Sequence, residues 1–147
     1  MLNIIDAKGN EKSFKSAIGI KANTNFGIQK SLYQSGKDLK ATFNRQVLAK
    51  DKTGTVYIRR NKAGARRRHQ ASAEGESPAN RSGNYRRSTG FYVNGGNELV
   101  FGNAAKYGRF LELGTSRMKP RPGLGNAVNA SERDLIRNFA TEIQDAI

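Results

Sequence analysis

The feature that most constrains this chain is an apolar stripe between Asn25 and Lys50. Ile28, Leu32, Leu39, Phe43 and Val47 are spaced 4, 7, 4 and 4 residues apart, which holds them on one face of a helix. Lys30, Lys37, Arg45 and Lys50 fall largely on the other faces. A helix with one apolar stripe must bury it, so other elements have to fold against it. Thr24 or Asn25 is placed to cap its start, and the run Asp51 to Gly54 ends it. Gly36 costs the middle about 1 kcal/mol relative to alanine.

A second stripe closes the chain. Leu135, Phe139, Ile143 and Ala146 share a helical face, with Ile136 and Ile147 beside them. Asn129 and Glu132 resemble a cap and its N3 partner. A start as early as Pro122 also fits, because proline suits the first helical position. Between the two helices, "TVYIRR" alternates, with Val56 and Ile58 facing one way and Tyr57 and Arg59 the other, as a strand does. "FYV" and "ELVF" flank Asn94 to Asn97, a turn rich in residues that tolerate positive φ, and predict a hairpin. A three-residue loop would set Phe91 opposite Leu99, and a two-residue loop Tyr92.

Other stretches are less periodic. Leu2 to Asp6 reads as a short strand, and Asn10 to Thr24 as irregular or weakly structured. Residues 61–83 read as a long basic loop, of the kind that is functional or disordered in compact domains. "AAKYGRFLELG" fits a short helix or a strand, ended by Gly114, and "TSRMKPRPG" is turn-like. The expected fold is a single α+β domain over 1–147. It has a small antiparallel sheet packed by a long helix in the N-terminal half and a C-terminal helix, with an N-terminal extension over 1–23.

Charge narrows the function. The chain of 147 residues carries 26 basic and 12 acidic side chains, a formal net charge of +14. Such an excess marks an anionic partner, nucleic acid first, unless the surface is merely basic. Arg59, Arg60, Lys62, Arg66, Arg67 and Arg68 lie close together, Arg81, Arg86 and Arg87 follow, and only Glu74 and Glu76 oppose them. Arginine's planar fork suits phosphate oxygens, so one reading is backbone contact without sequence readout. The other is a solvated charged loop. Tyr57 and Tyr85 flank the run, placed either to stack on exposed bases or to pack at its base.

Catalytic constellations are hard to find. There is no cysteine and one histidine, His69, without a partner acid close in sequence. That argues against a zinc site and against general-base chemistry. The carboxylates are scattered rather than clustered as a metal-dependent nuclease requires. Glu112 stands as a polar residue in an apolar stretch, either exposed or paired with Arg109 or Arg117 of its own or a neighbouring chain. The glycines of "GTVYIRRNKAG" lack phosphate-loop spacing. No enzyme activity, metal or cofactor is expected. The first apolar run meets Asp6 almost at once, too short for a signal peptide, and no stretch approaches a membrane span. A soluble protein of the cytoplasm, or of something assembled there, is expected.

Two stretches then resemble a known family. "HQASAEGESPANRSGNYRRS" and "YGRFLELGTSRMKPRPGLGNAV" are similar to the small neck or tail-completion proteins of tailed double-stranded DNA bacteriophages. Ala71, Ser72, Gly75, Glu76, Pro78 and Ala79 match a first run, and Ser82, Gly83, Arg86 and Ser88 a second box. Tyr107, Glu112, Gly114, Thr115, Arg121 and Pro122 match a third. The chain departs from that pattern at Glu74, Tyr85, Gly123 and Asn126. The resemblance spans 69–128.

It implies a non-enzymatic virion protein assembled in the bacterial cytoplasm. The protein would form a homo-oligomeric ring, hexamer or dodecamer, at the head–tail interface. Its neighbours there would be connector and tail terminator or tube proteins, with double-stranded DNA in the lumen and no membrane partner. The basic residues named above would face the DNA or an interface. Tyr107 to Leu113 would anchor a stiff arm bearing Arg117, Lys119 and Arg121 that reaches a neighbour or the channel. A tail terminator and a free nucleic-acid-binding protein are the alternatives.

Overall fold

A computed structural model describes residues 3–5, 16–21, 26–49, 51–95 and 97–145. The elements run β1 (Asn3–Ile5), β2 (Ser16–Lys21), α1 (Phe26–Leu48), β3 (Val56–Arg60) and β4 (Arg66–Gln70). Then come α2 (Asn84–Arg87), β5 (Thr89–Asn94), β6 (Glu98–Asn103), α3 (Gly108–Leu113) and α4 (Gly123–Asp145). Four strands form an antiparallel sheet in the order β1-β2-β6-β5, and β3 and β4 form a separate two-stranded ribbon. The fold is α+β, with α1 packed along α4 and against β5 and β6.

The stripe on α1 does what its spacing predicts. Leu32, Leu39, Phe43 and Val47 are almost fully buried, and Ile28 packs at the edge of the core. They meet Leu99 and Phe101 from β6 and Leu124, Ala127, Val128 and Leu135 from α4. Burying each large side chain contributes about 1.5–3 kcal/mol. Gly36 has a reason to interrupt a helix. A Cβ there would overlap the Phe91 ring of β5, which stacks edge-on against Tyr33 with centroids 5.4 Å apart. The glycine lowers helix propensity and lets the sheet approach the helix closely.

Several expectations change. Asn10 to Thr24 is not irregular throughout, since Ser16–Lys21 is a strand pairing with β6, so the N-terminal stretch contributes to the sheet. The alternation there is short and Gly19 interrupts it, which hides it from sequence. The β5–β6 hairpin has Asn94 opposite Glu98 and Val93 opposite Leu99. Neither predicted pairing holds: three residues separate Asn94 from Glu98, and that spacing sets Val93 opposite Leu99 and Phe91 opposite Phe101. The helix cap at Asn129 is overturned, since α4 begins at Gly123, directly after Pro122. The proposed caps of α1 at Thr24 and Asn25 lie outside the described residues.

Residues 61–83 are not one loop. Asn61 to Ala65 form a turn, 66–70 form β4, and 71–80 run against the body with Ser72, Ser77 and Pro78 buried. Asn103 ties the next corner together. Its side-chain amide donates to the Tyr85 carbonyl (2.7 Å) and to Thr89 Oγ1 (2.6 Å), while its Oδ1 accepts from the Ala105 N–H (2.8 Å). A fully buried amide satisfied on both ends fixes where α2 hands the chain to β5.

Candidate nucleic-acid interface

The ribbon is built by its turn. The Asn61 N–H donates to the Ala65 carbonyl (2.9 Å), Gly64 N–H to the Asn61 carbonyl (3.0 Å), and Ala65 N–H to Asn61 Oδ1 (2.8 Å). Gly64 has φ of 79°, a conformation that favours glycine. At the other end, the Gly54 N–H donates to the Ala71 carbonyl (3.0 Å) and the Ala71 N–H to the Thr55 carbonyl (2.9 Å). A Cβ at Gly54 would collide with the carbonyls of Ala71 and Ser72.

The register sets like charges against each other. Arg59 faces Arg67, Arg60 faces Arg66, Ile58 faces Arg68 and Tyr57 faces His69. Opposed like charges destabilise a strand pair, and a lone two-stranded ribbon is marginal in water. The only ion pair among the described residues is Arg137 with Asp134 (3.5 Å), far along α4. No described carboxylate therefore compensates the ribbon, whose residues 56–68 are all exposed. An anion from outside the chain would relieve the repulsion.

The ribbon borders a cleft of about 810 Å³ whose lining includes Tyr57, Arg59, Arg60, Arg67, Arg68, His69, Asn80 and Arg81. A second cleft of about 380 Å³ shares His69, Asn80 and Arg81 and continues to Tyr107 and Arg121. Basic side chains thus line a path with a half-exposed tyrosine in each cleft. Sequence reasoning singled out the arginines but missed His69 and Asn80 as lining residues. The cross-strand register, which puts His69 beside Tyr57, could have brought in His69, whereas Asn80 lies outside both strands and leaves no such signal.

The remaining predicted residues divide. Lys62 is exposed at the ribbon tip and Arg81 at the cleft. Arg87 donates to the Ser82 carbonyl (3.1 Å). Arg86 is half-buried, and its Nε finds no hydrogen-bond partner among the described residues. Tyr85 is buried rather than available for stacking.

Glu112 is corrected most clearly. Within its own chain it pairs with neither Arg109 nor Arg117. Its Oε1 accepts from Tyr85 Oη (2.7 Å), Gly123 N–H (2.9 Å) and Leu124 N–H (2.8 Å), and its Oε2 from Gly125 N–H (3.4 Å). The carboxylate caps α4 from outside its own segment, where helix N–H groups lack partners and the dipole favours negative charge. Burial, together with the Glu112 carboxylate against it, pushes the Tyr85 hydroxyl far above its ordinary pKa. That hydroxyl therefore stays a donor.

The turn after α3 is equally internal. Gly114 has φ of 74°, and a Cβ there would strike the Met118 carbonyl. Thr115 N–H donates to the Met118 carbonyl (2.7 Å), and Thr115 Oγ1 accepts from the N–H groups of Arg117 and Met118. The Pro120 carbonyl accepts from Gly75 N–H (3.0 Å), and Arg121 N–H donates to the Leu111 carbonyl (2.7 Å). Residues 115–118 therefore close a tight turn and Pro120 and Arg121 are tied to the body, so the stretch is no extended stiff arm, although Ser116 is exposed. Arg117 and Lys119 are exposed, and Arg121 is half-buried with its Nε lacking a described partner. Tyr107 accepts a hydrogen bond from the Asn84 side-chain amide (3.0 Å).

Among the described residues, no group of three or more His, Cys, Asp or Glu comes together to hold a metal. No described helix is long and apolar enough to cross a membrane. No family model, curated protein or solved structure matches the chain.

Proposed function

We propose that this chain is a structural protein of the phage neck that works as a multimer around double-stranded DNA. The observation that carries the DNA side of this reading is the ribbon. Five arginines occupy two paired strands, like charge opposes like charge, and no described carboxylate answers them. A surface of that kind holds phosphates of any sequence. The order of motifs from Ala71 to Pro122 supports the phage assignment. A free nucleic-acid-binding protein would share the ribbon, and only the multimer separates the two.

The test uses the purified chain and a random-sequence duplex. Binding should be indifferent to sequence and weaken steeply with salt, and electron microscopy should show closed rings in the mixture or in virions that contain the protein. A chain that ignores duplex DNA at low salt sinks the DNA reading. A chain that binds duplex tightly yet stays a monomer in every mixture sinks the neck reading.

A further inference from the structure

We infer that the two joined clefts beside the ribbon hold an unpaired strand of nucleic acid, its phosphates on the arginines and its bases against Tyr57 and Tyr107. The inference rests on the nucleic-acid side of the proposed function, adds single strand to duplex as a ligand, and does not depend on the multimer.

The two clefts are continuous in their lining, since they share His69, Ala71, Asn80 and Arg81. The larger takes Arg59, Arg60, Arg67 and Arg68 from the ribbon, and the smaller reaches Arg121. No described carboxylate lines either one. Arg121 is half-buried, and its Nε has no partner among the described residues. Folding has thus partly withdrawn a charged donor from water at the groove without giving it an acceptor. Such a donor is costly to leave unmet, and a phosphate oxygen would meet it.

Charge alone would suit any polyanion, and the aromatic groups narrow the choice. Tyr57 is 50% exposed and Tyr107 40%, one in each cleft. Tyr107 is already held in place. Its hydroxyl accepts from the Asn84 amide (3.0 Å), and its ring lies 6.2 Å from that of Tyr85, tilted by 33°. A ring fixed before binding loses little freedom when a base stacks on it. Arginines that follow a backbone, interleaved with exposed aromatic rings, are what a single strand requires. A duplex keeps its bases paired and stacked inside. It meets a protein with phosphates and groove edges, and offers no base face to a tyrosine. At about 810 Å³ the larger cleft has the size of pockets that enclose a small molecule, roughly 300–1,000 Å³. That admits a nucleotide and excludes a double helix. Asn61, Asn80 and His69 add hydrogen-bonding groups for base edges.

The test measures binding of the full chain to three probes at one salt concentration. They are a mixed-sequence single strand of about 12 nucleotides, within the ~4–16 that single-strand modules cover, an abasic strand of equal length, and the same sequence as a blunt duplex. The intact strand should bind at least about fivefold more tightly than the abasic one, the lower limit for one stacked base. Tyr57→Leu and Tyr107→Leu should each shrink that ratio, and Tyr57→Phe should keep it. Circular dichroism checks each fold. If loss of the Asn84 bond unsettles the Tyr107→Leu chain, the exposed Tyr57 still decides.

The inference is overturned if the abasic strand binds as tightly as the intact one, or if the ratio is indifferent to Tyr57→Leu. It also falls if polyglutamate of equal charge displaces the intact strand as well as unlabelled strand does, which would make the groove a site for acidic protein. The duplex probe separates the failures. Duplex bound without any preference of intact over abasic strand removes this inference and leaves the duplex reading standing. No binding of any probe at low salt removes both.

Discussion

The arginine ribbon and the junction around Glu112 are both rich in polar groups, and they resolve them in opposite ways. At the junction one carboxylate meets four donors, the Tyr85 hydroxyl and three N–H groups at the start of α4. On the ribbon, four of the five guanidinium groups oppose one another across the strands, Arg68 faces Ile58, and no described carboxylate answers them. The junction is complete within one chain, so its residues serve the fold. The ribbon is incomplete within one chain, so its residues point outward. Residues that the sequence reading groups as one interface therefore fall into two classes, separated by where their partners are.

The largest expected effect would break this division if it failed to appear. Glu112→Ala removes the cap and the partner of a buried hydroxyl together. It should lower the stability to urea unfolding by about 3 kcal/mol, with Glu112→Gln losing less. A loss below about 0.5 kcal/mol, the range of ordinary surface changes, would mean the junction is not a fold element.

The converse variant changes Arg66, Arg67 and Arg68 to serine. Stability should stay within about 0.5 kcal/mol of the parent or rise, since opposed charges are removed. The slope of log affinity for duplex DNA against log salt should become shallower by about 2.7 if each arginine meets one phosphate. Loss of stability with an unchanged salt slope would exchange the roles of the two regions. Hydrogen exchange sharpens the point. Amides of 56–70 should exchange readily in the free protein and become protected with DNA, while those at the start of α4 stay protected in both states.

A smaller change tests one bond of the junction. Tyr85→Phe keeps the ring beside Phe43, whose centroid lies 5.6 Å away, and removes only the hydroxyl that donates to Glu112. About 1 kcal/mol should be lost. Neutrality would show that the three backbone donors suffice.

The helices and the β5–β6 hairpin were legible because their apolar spacing is long and regular, and Leu32, Leu39 and Phe43 are buried as that spacing requires. Only the first strand of the ribbon was legible, since "TVYIRR" alternates and Val56–Arg60 is a strand. Its second strand, Arg66 to Gln70, has no apolar alternation, although the run Asn61 to Gly64 carries turn chemistry that could have revealed it. Glu112 was read through neighbours in sequence, whereas its partners come from Tyr85 and from residues 123–125. Two positions at which the chain departs from the phage pattern make tertiary contacts of this sort. Tyr85 supplies the hydroxyl to Glu112, and Asn126 donates to the Gly75 carbonyl (2.8 Å). At a third, Gly123, a Cβ would press on Phe43, Pro78 and Tyr85. Such long-range polar pairs leave no periodic trace.

The smallest effect lies where the two regions meet. At the base of the ribbon, Glu76 accepts from the Thr53 hydroxyl, from the Thr53 N–H (3.2 Å) and from the Ala73 N–H (2.8 Å). The Thr53 hydroxyl, and then the Ala73 N–H, hold its carboxyl below its ordinary value of 4.5. Because the folded value is the lower one, the stability it adds is present above pH 4.5. That stability is lost as pH falls through the depressed folded value. Glu76→Gln should therefore be slightly less stable than the parent near neutrality, with the difference closing in acid below the ordinary carboxylate range. Since Glu76 ties the segment before the ribbon, at Thr53, to the segment after it, at Ala73, the variant should also raise exchange of the Gly54 and Ala71 amides, which pair the ribbon's base. A difference that stays constant from neutral to acid pH would mean that the side chain acts through packing and not as a charged acceptor. The ribbon would then be anchored by Gly54 and its backbone pairs alone.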